Sequence, residues 1–287
     1  MSNNKNDYGY IPGQNANLKF SAYNLDPERF SFLKPFEQNW QIIRDEYLKF
    51  LQDKTLDFAT IQTVMKPKSQ SIMTRTATPH VFTVVGFLFN GQALTELIEH
   101  YNITWPELSR AAVIALIEKV NHYFPATRKI ITEAFTLSGQ RIRNVYYNVY
   151  QPGFDVKLHV NNNPHTYRAY LGLKVPPGNV AIKVGGDDGK LEHYHFMEGK
   201  FLVLDHMYPH CPHNLTTEPR LALIIDFLKP DQPLQAMQQL AKEIVAKRMQ
   251  DNIYSYGVFD KDDVVPDDVF IKYGLAEQLR WGNKVTG

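Results

Sequence analysis

Cysteine is almost absent from this chain. Its 287 residues include a single cysteine, Cys211, so an intramolecular disulfide is impossible. One thiol also cannot build the zinc sites that depend on several cysteines. Any metal bound by this chain must therefore rely mainly on histidine, aspartate or glutamate.

Long hydrophobic runs and a charge imbalance are missing as well. No stretch of about 18 uninterrupted apolar residues predicts a membrane span, and the N-terminal residues lack the apolar core of a signal peptide. The net charge of +1 gives no reason to expect nucleic acid or an anionic membrane as a partner. These absences predict a cytoplasmic protein without a nucleic-acid or membrane partner, and they leave its oligomeric state open.

The distribution of apolar residues divides the chain into four predicted regions. Residues 1–28, rich in Asn, Gly and Tyr, are expected to form an N-terminal arm. Residues 29–140 are expected to be mainly helical, and residues 141–230 to form a β-rich core. Residues 231–287 are expected to form a helix and an aromatic tail that packs on the core.

Helical periodicity is clearest in the second region. Apolar residues recur there at spacings of three and four, which is typical of an amphipathic helix with one buried face. They are Phe36, Trp40, Ile43, Tyr47 and Leu51. Two more helices are predicted at about 93–101 and 106–122, the second with Thr104 as its cap and Pro106 in its first turn. A further helix is predicted at about 234–249.

From Arg143 onward the pattern changes to short apolar or alternating runs separated by Gly, Pro and Asn. Short strands at such spacing predict an antiparallel sandwich or barrel. The predicted strands are Val145–Tyr150, Val156–Val160, Tyr167–Val175, Val180–Val184, Glu192–Met197, Phe201–Asp205 and Leu221–Phe227.

Two histidines in this β-rich core stand at similar distances from two arginines. Arg168 follows His159 by nine residues, and Arg220 follows His210 by ten. Each arginine opens an apolar run, so each pair reads as a histidine on or beside a strand, a loop, and an arginine that enters a second strand. Imidazoles suit a bound metal, and a nearby guanidinium suits an anionic co-substrate.

Other histidines compete for the same roles. His193 and His195 are two residues apart on a predicted strand, so they share one face and form either a metal pair or an exposed hairpin pair. His206, His210 and His213 compete for the second ligand position, and their spacing alone does not choose among them. For any one of these histidines, packing in the core or in a loop is the more common role.

The run from Asn148 to Asp226 contains a set of motifs at characteristic spacing. They are Pro152-Gly153, His159 with Arg168-Ala-Tyr-Leu-Gly-Leu, Gly199-Lys-Phe-Leu-Val-Leu-Asp205 with His210 five residues later, and Arg220-Leu-Ala-Leu-Ile-Ile-Asp226. By these motifs the chain resembles the aspartyl/asparaginyl β-hydroxylase family of iron(II)- and 2-oxoglutarate-dependent oxygenases, and in outline the resemblance extends over about residues 34–229.

The resemblance implies a fold and a set of site residues. The implied fold class is α+β, a double-stranded β-helix (cupin-like jelly roll) with N-terminal helices and a helical C-terminal extension. His159 and His210 correspond to the two iron-binding histidines of the family. Arg220 corresponds to the arginine that binds the distal carboxylate of 2-oxoglutarate, and Arg168 to one that helps to position this co-substrate. Asn148 stands where the family has a serine beside the co-substrate.

The resemblance also implies a reaction. An enzyme of this family would use Fe(II), 2-oxoglutarate and O2 to hydroxylate an unactivated carbon, and it would release succinate and CO2. The substrate is expected to be an amino acid, a peptide side chain or a related small metabolite.

Several positions depart from the family pattern. Tyr170 stands where a histidine is usual, and His206 follows Asp205 where a second aspartate is usual. Asn161 stands where facial-triad oxygenases place a carboxylate, so either Asn161 or a water accompanies the two imidazoles on iron. The run Asn161 to Asn163 also differs from the family sequence, which predicts that the substrate pocket differs from that of other family members.

Two other functions are compatible with these residues. A site without a carboxylate could admit chloride and act as a halogenase-type oxidative variant, although Asn161 would crowd that position more than Gly or Ala. A cupin-like binding protein would keep the barrel and have no turnover.

Overall fold

A computed structural model describes residues 24–65, 85–89, 91–100, 108–156, 158, 165–185 and 190–235. The strands are β1 (Asn24–Leu25), β2 (Val85–Phe89), β3 (Gln92–Ala93), β4 (Ile142–Tyr150), β5 (Phe154–Asp155), β6 (Thr166–Lys174), β7 (Val180–Gly185), β8 (Leu191–His195), β9 (Phe201–Leu204), β10 (His210–Asn214) and β11 (Arg220–Leu228). The α-helices are α1 (Lys34–Gln38), α2 (Trp40–Gln52), α3 (Phe58–Met65), α4 (Leu94–His100), α5 (Arg110–Asn121) and α6 (Pro125–Leu137). Two short 3-10 helices, Pro27–Arg29 and Ser31–Leu33, precede α1.

Two antiparallel sheets form the centre of the molecule. The large sheet has the order β1-β9-β6-β11-β4-β2-β3, and the small sheet has the order β5-β10-β7-β8. From β4 to β11 the chain passes repeatedly from one sheet to the other, with β7 and β8 as a hairpin in the small sheet. This is the strand order of a jelly roll. The predicted α+β fold with a double-stranded β-helix is therefore confirmed, while the predicted C-terminal helix lies outside the described residues.

Helices α1, α2 and α6 cover the outer face of the large sheet. Tyr147 of β4 lies 4.6 Å from the ring of Tyr47 and 5.2 Å from the ring of Phe124, centroid to centroid. Phe36 and Ile43 are fully buried in the same core. The predicted helical face thus packs on the sheet, as the spacing of three and four indicated.

The helix boundaries differ from those predicted. The single helix expected around Trp40 is broken at Asn39, which leaves the helical region with a φ of −118° and a ψ of 18°. After this break Phe50 takes the buried position, and the predicted core residue Leu51 is 43% exposed. Helix α5 begins after its cap Ser109, whose hydroxyl accepts from the Ala112 amide, and not at the predicted start.

Helix α6 was not predicted from the sequence. Pro125 ends the preceding helical pattern, but it also occupies the first turn of a new helix, where proline loses no hydrogen bond.

Within the described ranges, no helix combines the length and the apolar character needed to cross a lipid bilayer.

A carboxylate on α2 fixes the start of α6 against the sheet. Glu46 accepts hydrogen bonds from the backbone amides of Ala126 and Thr127 at 2.8 and 2.9 Å, and from the Thr127 hydroxyl at 2.7 Å. A negative charge at a helix N-terminus also opposes the helix dipole favourably. Beside it, the Tyr147 hydroxyl donates to the Ile43 carbonyl at 2.7 Å.

Replacing Glu46 by alanine should destabilise the protein because two amides and a hydroxyl lose a charged acceptor. We expect the free energy of unfolding to fall by about 2 kcal/mol, the range for hydrogen bonds to charged groups. Denaturant titration measures this change, with the exposed α6 residue Glu133, changed to alanine, as the control. Equal stability of the two variants would show that Glu46 does not stabilise the start of α6.

The outer face of the small sheet carries several histidines. On β10, Cys211 and His213 alternate with His210, so they point away from it. The register aligns His213 with Ala181 and His195, and Cys211 with Lys183 and His193. The prediction that His193 and His195 share one face of a strand is consistent with this register.

His213 is buried among these groups. Burial lowers its pKa to about 3, and Lys183, His193 and His195 act in the same direction. Its Nε2 lies 2.7 Å from the Asn179 side-chain oxygen.

Acid should destabilise the protein through His213. The ring is neutral in the folded protein, whereas the unfolded chain takes up a proton below the ordinary pKa of 6.5. The contribution of His213 to the free energy of unfolding is therefore fully present above pH 6.5 and is lost as the pH drops toward 3. At pH 5 the loss is about 2 kcal/mol for a single group of this kind. Thermal unfolding from pH 7.5 to pH 5 measures it. His213→Gln should lose less stability over this range than the wild type, and parallel pH profiles would exclude the effect.

Candidate active site

Polar and aromatic side chains share the face of the large sheet that looks toward the small sheet. Side chains alternate along a strand, so every second residue of β4, β6 and β11 lies on this face. The register aligns Asn144, Tyr146, Asn148 and Tyr150 of β4 with Arg168, Tyr170 and Gly172 of β6 and with Arg220, Ala222, Ile224 and Asp226 of β11. The predicted site residues Asn148, Arg168 and Arg220 thus lie on one surface, which we call the inner face.

Arg220 is the first residue of β11, and it is 0% exposed. Its Cζ atom lies 3.7 Å from the centroid of the Tyr150 ring and 4.4 Å from that of Phe196. Its Nη1 donates a 3.0 Å hydrogen bond to Asn148 Oδ1. Its Nε and Nη2 have no hydrogen-bond partner among the residues that the structure describes. Burial lowers the pKa of Arg220, and the neighbouring phenol groups of Tyr150 and Tyr170 oppose that effect.

Arg168 shows how such a guanidinium is normally satisfied. Its Nε and Nη2 donate to the two carboxylate oxygens of Asp226 at 2.6 and 3.0 Å. Asn144 donates a further 2.9 Å bond to the same carboxylate. Burial alone would lower the pKa of Arg168, but the adjoining Asp226 charge raises it well above its ordinary value. The positive charge of Arg168 is therefore neutralised within the sheet.

The two arginines thus differ in the partners of their Nε and Nη2 atoms. Arg168 offers Nε and Nη2 to a carboxylate of the protein, whereas the same edge of Arg220 has no such carboxylate among the described residues. This edge presents two parallel N–H groups that match the two oxygens of a carboxylate. Arg220 is therefore suited to bind a carboxylate supplied by a ligand.

His210 is the first residue of β10 and is 2% exposed. Its Nδ1 lies 2.8 Å from the backbone oxygen of Tyr208. Because a carbonyl oxygen only accepts, Nδ1 carries the hydrogen, and Nε2 of the neutral ring carries the lone pair that a metal needs. This backbone contact is the usual way in which a metal-binding histidine is oriented.

The other histidines that compete with His210 have different environments. His206 Nε2 lies 2.9 Å from the Tyr170 hydroxyl, and the His206 ring lies 4.2 Å from that of His210, centroid to centroid. His213 points to the opposite face of β10, as described above. Of the three, His210 presents a lone pair on the side of the inner face, while His213 lies outside the barrel.

The predicted first ligand, His159, and the run Asn161 to Asn163 lie outside the described residues. Among the residues that are described, no three His, Cys, Asp or Glu side chains are grouped so that they could hold a metal ion. A two-histidine site made by His159 and His210 thus stays a prediction.

The backbone positions of His210 and Arg220 are separated by the length of β10. This strand runs from His210 to Asn214, a rise of ~13 Å for four residue steps. The short connection 215–219 then joins Asn214 to Arg220. A ligand that contacts both side chains has to lie between these two positions.

A second ion pair fixes the loop that carries His206. Lys229, just after β11, lies 2.6 Å from the Asp205 carboxylate, and both side chains are largely buried. Asp205 also accepts from the Met207 amide at 3.1 Å. The turn between β9 and β10 is thereby attached to the end of the large sheet.

Sequence reasoning missed three groups at the site: Tyr150, Phe196 and Asp226. Tyr150 was recoverable, because it lies two residues after Asn148 on a predicted strand and so shares its face. Asp226 was visible as the end of the motif that begins at Arg220, but its pairing with Arg168 requires the register of two strands. Phe196 comes from the other sheet, and no local pattern identifies it.

The residues present fit the ligands that the resemblance implies. His210 offers a neutral nitrogen donor, which iron(II) accepts in oxygenases. Arg220 offers a buried two-donor edge, which a dicarboxylate such as 2-oxoglutarate requires at the end that does not bind the metal.

Known proteins resemble this chain over different lengths. A curated relative, the ornithine lipid ester-linked acyl 2-hydroxylase of Rhizobium tropici, is 32% identical over 84 residues, which is 29% of this chain and 29% of that protein. The chain thus matches less than a third of the length of that relative.

Solved structures were also compared. A prolyl-4-hydroxylase from Pseudomonas putida matches 69% of this chain and 89% of its own length, with 12% identity and a TM-score of 0.35. An oxidoreductase of the 2OG-Fe(II) oxygenase family from Burkholderia pseudomallei matches 60% of this chain and 77% of its own length, with 13% identity and a TM-score of 0.33. Likeness at this level carries no argument about function.

The family match is much broader. The sequence profile of the aspartyl/asparaginyl beta-hydroxylase family matches residues 37–230, which include α2, α6 and every strand from β4 to β11. This stretch is more than half of the chain and contains the inner face. The chain therefore belongs to the aspartyl/asparaginyl beta-hydroxylase family.

Proposed function

We propose that this protein is an iron(II)- and 2-oxoglutarate-dependent dioxygenase. It hydroxylates an unactivated carbon of an amino acid, a peptide side chain or a related small metabolite, and releases succinate and CO2. The observation that carries the proposal is Arg220, a buried guanidinium whose two-donor edge has no partner among the described residues.

In this proposal His159 and His210 hold the metal through neutral imidazoles, with Asn161 or a water beside them. Bound iron(II) would supply the activation of O2, which no protein side chain can perform. The Tyr208 carbonyl holds the His210 ring in the tautomer that presents Nε2. These residues thereby fix one end of the co-substrate site.

Arg220 fixes the other end. Its Nε and Nη2 bind the distal carboxylate, while Asn148 holds Nη1 and so sets the plane of the guanidinium. Tyr150 and Phe196 pack against the guanidinium, which is shielded from water. In the resulting low dielectric the attraction between the two charges is much stronger than in water.

Arg168 has a subordinate part in the proposal. Asp226 takes its Nε and Nη2, so Nη1 is the group with which Arg168 can help to position the co-substrate. A neutralised arginine adds little net attraction, and its value is a donor held at a fixed place by a two-point ion pair.

Two alternatives stay within reach of experiment. A halogenase-type variant would incorporate chloride, and a cupin-like binding protein would bind both ligands without turnover. The relative that is named as an acyl 2-hydroxylase adds the second carbon of an acyl chain to the substrates worth testing. Succinate formed in step with a hydroxylated product distinguishes the proposed function from a binding protein, and the absence of a chlorinated product when chloride is supplied distinguishes it from a halogenase.

The choice of His210 as ligand predicts different effects of two histidine substitutions. His210→Ala should abolish iron binding, whereas His213→Ala should retain it because His213 lies on the other face of β10. Metal analysis of the anaerobically loaded proteins, with circular dichroism to confirm folding, measures the occupancy. Equal iron content in the two variants would remove His210 from the site.

Arg220→Met should separate binding from stability. Methionine removes a buried charge that lacks an anion in the ligand-free protein, so the melting temperature should stay unchanged or rise. The affinity for 2-oxoglutarate should fall roughly 30-fold or more, as for other buried charge pairs that lose a partner. Calorimetric titration with iron(II) in the absence of O2 measures the affinity.

The control for this experiment is Arg141→Ala. Arg141 donates to the backbone oxygens of Lys229 and Gln232, away from the inner face. It should lower the melting temperature and leave the 2-oxoglutarate affinity unchanged. An Arg220→Met protein that melts earlier yet binds 2-oxoglutarate normally would show that Arg220 is only structural.

A further inference from the structure

Two of the positions that depart from the family pattern touch each other. Tyr170 lies on β6 and His206 in the turn after β9, 36 residues apart, yet the Tyr170 hydroxyl lies 2.9 Å from His206 Nε2. Both side chains are buried. The departures from a histidine at one position and from an aspartate at the other thus form a single contact in this chain.

His206 also packs on the side chain that we assign to the metal. The rings of His206 and His210 lie 4.2 Å apart, centroid to centroid, with 37° between their planes. The Tyr170 ring in turn lies 5.7 Å from the His206 ring and 5.7 Å from the Phe196 ring. A continuous line of contacts therefore leads from the large sheet to the first residue of β10.

His210 needs more than one contact to hold its orientation. The hydrogen bond from Nδ1 to the Tyr208 oxygen restrains the ring within its own plane. It restrains tilting of that plane less, because a single hydrogen bond tolerates a range of angles. A ring packed against the face of His210 limits this tilt, and His206 provides such a ring.

Tyr170 holds His206 in this place. Burial raises the pKa of Tyr170, so its hydroxyl keeps its proton and can donate to a ring nitrogen. Tyr170 belongs to a central strand, with β11 on one side and β9 on the other, so its own position is rigid. Together with the Asp205–Lys229 pair, this contact attaches the turn that carries His206 to the large sheet.

We propose that Tyr170 and His206 act as one positioning unit, in which the Tyr170 hydroxyl holds His206 and the His206 ring sets the tilt of His210. The inference rests on the proposed function, since it concerns the metal affinity of His210. Partners beyond the direct ligands commonly change metal affinity by roughly 10- to 100-fold. This unit is specific to a chain that has Tyr170 and His206 together.

The experiment measures metal binding without turnover. Tyr170→Phe removes the hydroxyl and keeps the ring, so iron(II) affinity should fall about tenfold, as measured by anaerobic competition with a chelator. The absorption bands of the cobalt(II)-loaded protein should shift as well, because they report the geometry of the ligands. His206→Gln should weaken iron(II) binding similarly, because glutamine can reach Tyr170 but has no ring to pack on His210.

Tyr147→Phe is the matched control. It also removes a buried tyrosine hydroxyl, but on the opposite face of the large sheet, where the group donates to the Ile43 carbonyl. This variant should lower the melting temperature and leave both the iron(II) affinity and the cobalt(II) spectrum unchanged. A general loss of stability would therefore not be mistaken for a positioning effect.

The unit itself is tested by combining substitutions. In a His206→Ala background, Tyr170→Phe should cause no further loss of iron(II) affinity. A full additional tenfold loss would overturn the proposal, as would wild-type affinity and spectrum in both single variants. If His210→Ala retains iron while His206→Ala loses it, then His206 is the ligand and the assignment of His210 fails as well. If His210→Ala alone abolishes binding, the positioning unit can fail while the proposed function stands.

Discussion

A buried guanidinium in contact with two aromatic rings, with no carboxylate beside it among the described residues, determines the electrostatics of this barrel. Removing such a cation from water costs several kcal/mol, and the contacts with Tyr150 and Phe196 offset only about 2 kcal/mol of that cost. Asn148 adds one hydrogen bond to an amide oxygen. Arg220 is therefore held in an unfavourable environment, which in the proposed function the distal carboxylate of the co-substrate relieves.

The comparison with Arg168 shows that the register of the strands decides whether an arginine on the inner face has a carboxylate beside it. Both arginines lie on the inner face, and both present the same edge of the guanidinium. Arg168 stands opposite Asp226 in the register, whereas Arg220 stands opposite Tyr150. One cation is thus part of the rigid sheet, and the other is available to a ligand. The difference follows from the register alone.

Much of this arrangement was predictable from local patterns. The spacing of Phe36, Ile43 and Tyr47 predicted a helical face that packs on the sheet, and the short runs after residue 143 predicted an antiparallel sandwich or barrel, which the family resemblance narrowed to a jelly roll. The interruption at Asn39 was not predictable, because the apolar spacing continues through it without a proline or a glycine. Helix α6 is absent from the prediction because proline both follows the ends of helices and occupies their first turn, and the local sequence does not distinguish these two roles of Pro125.

The site shows the same division. Strand β10 was not recognised, because its sequence is polar and contains Pro212, which argues against a strand. Had it been recognised, the period of two would have placed His210 and His213 on opposite faces and separated the competing ligands. The contact between Tyr170 and His206 depends on a turn that folds back on a strand 36 residues away. Non-local contacts of this kind have no signature in a single sequence.

Gly172 has a consequence for attempts to change what the enzyme accepts. Its N–H donates to the Lys200 oxygen, its own oxygen accepts from Gly199, and any side chain at this position would overlap the Met197 carbonyl. The connection from β8 to β9 therefore packs directly on β6, backbone against backbone, close to Phe196, which contacts Arg220. Any library built to change substrate scope should therefore keep residue 172 as glycine, because a side chain there would separate β6 from this connection.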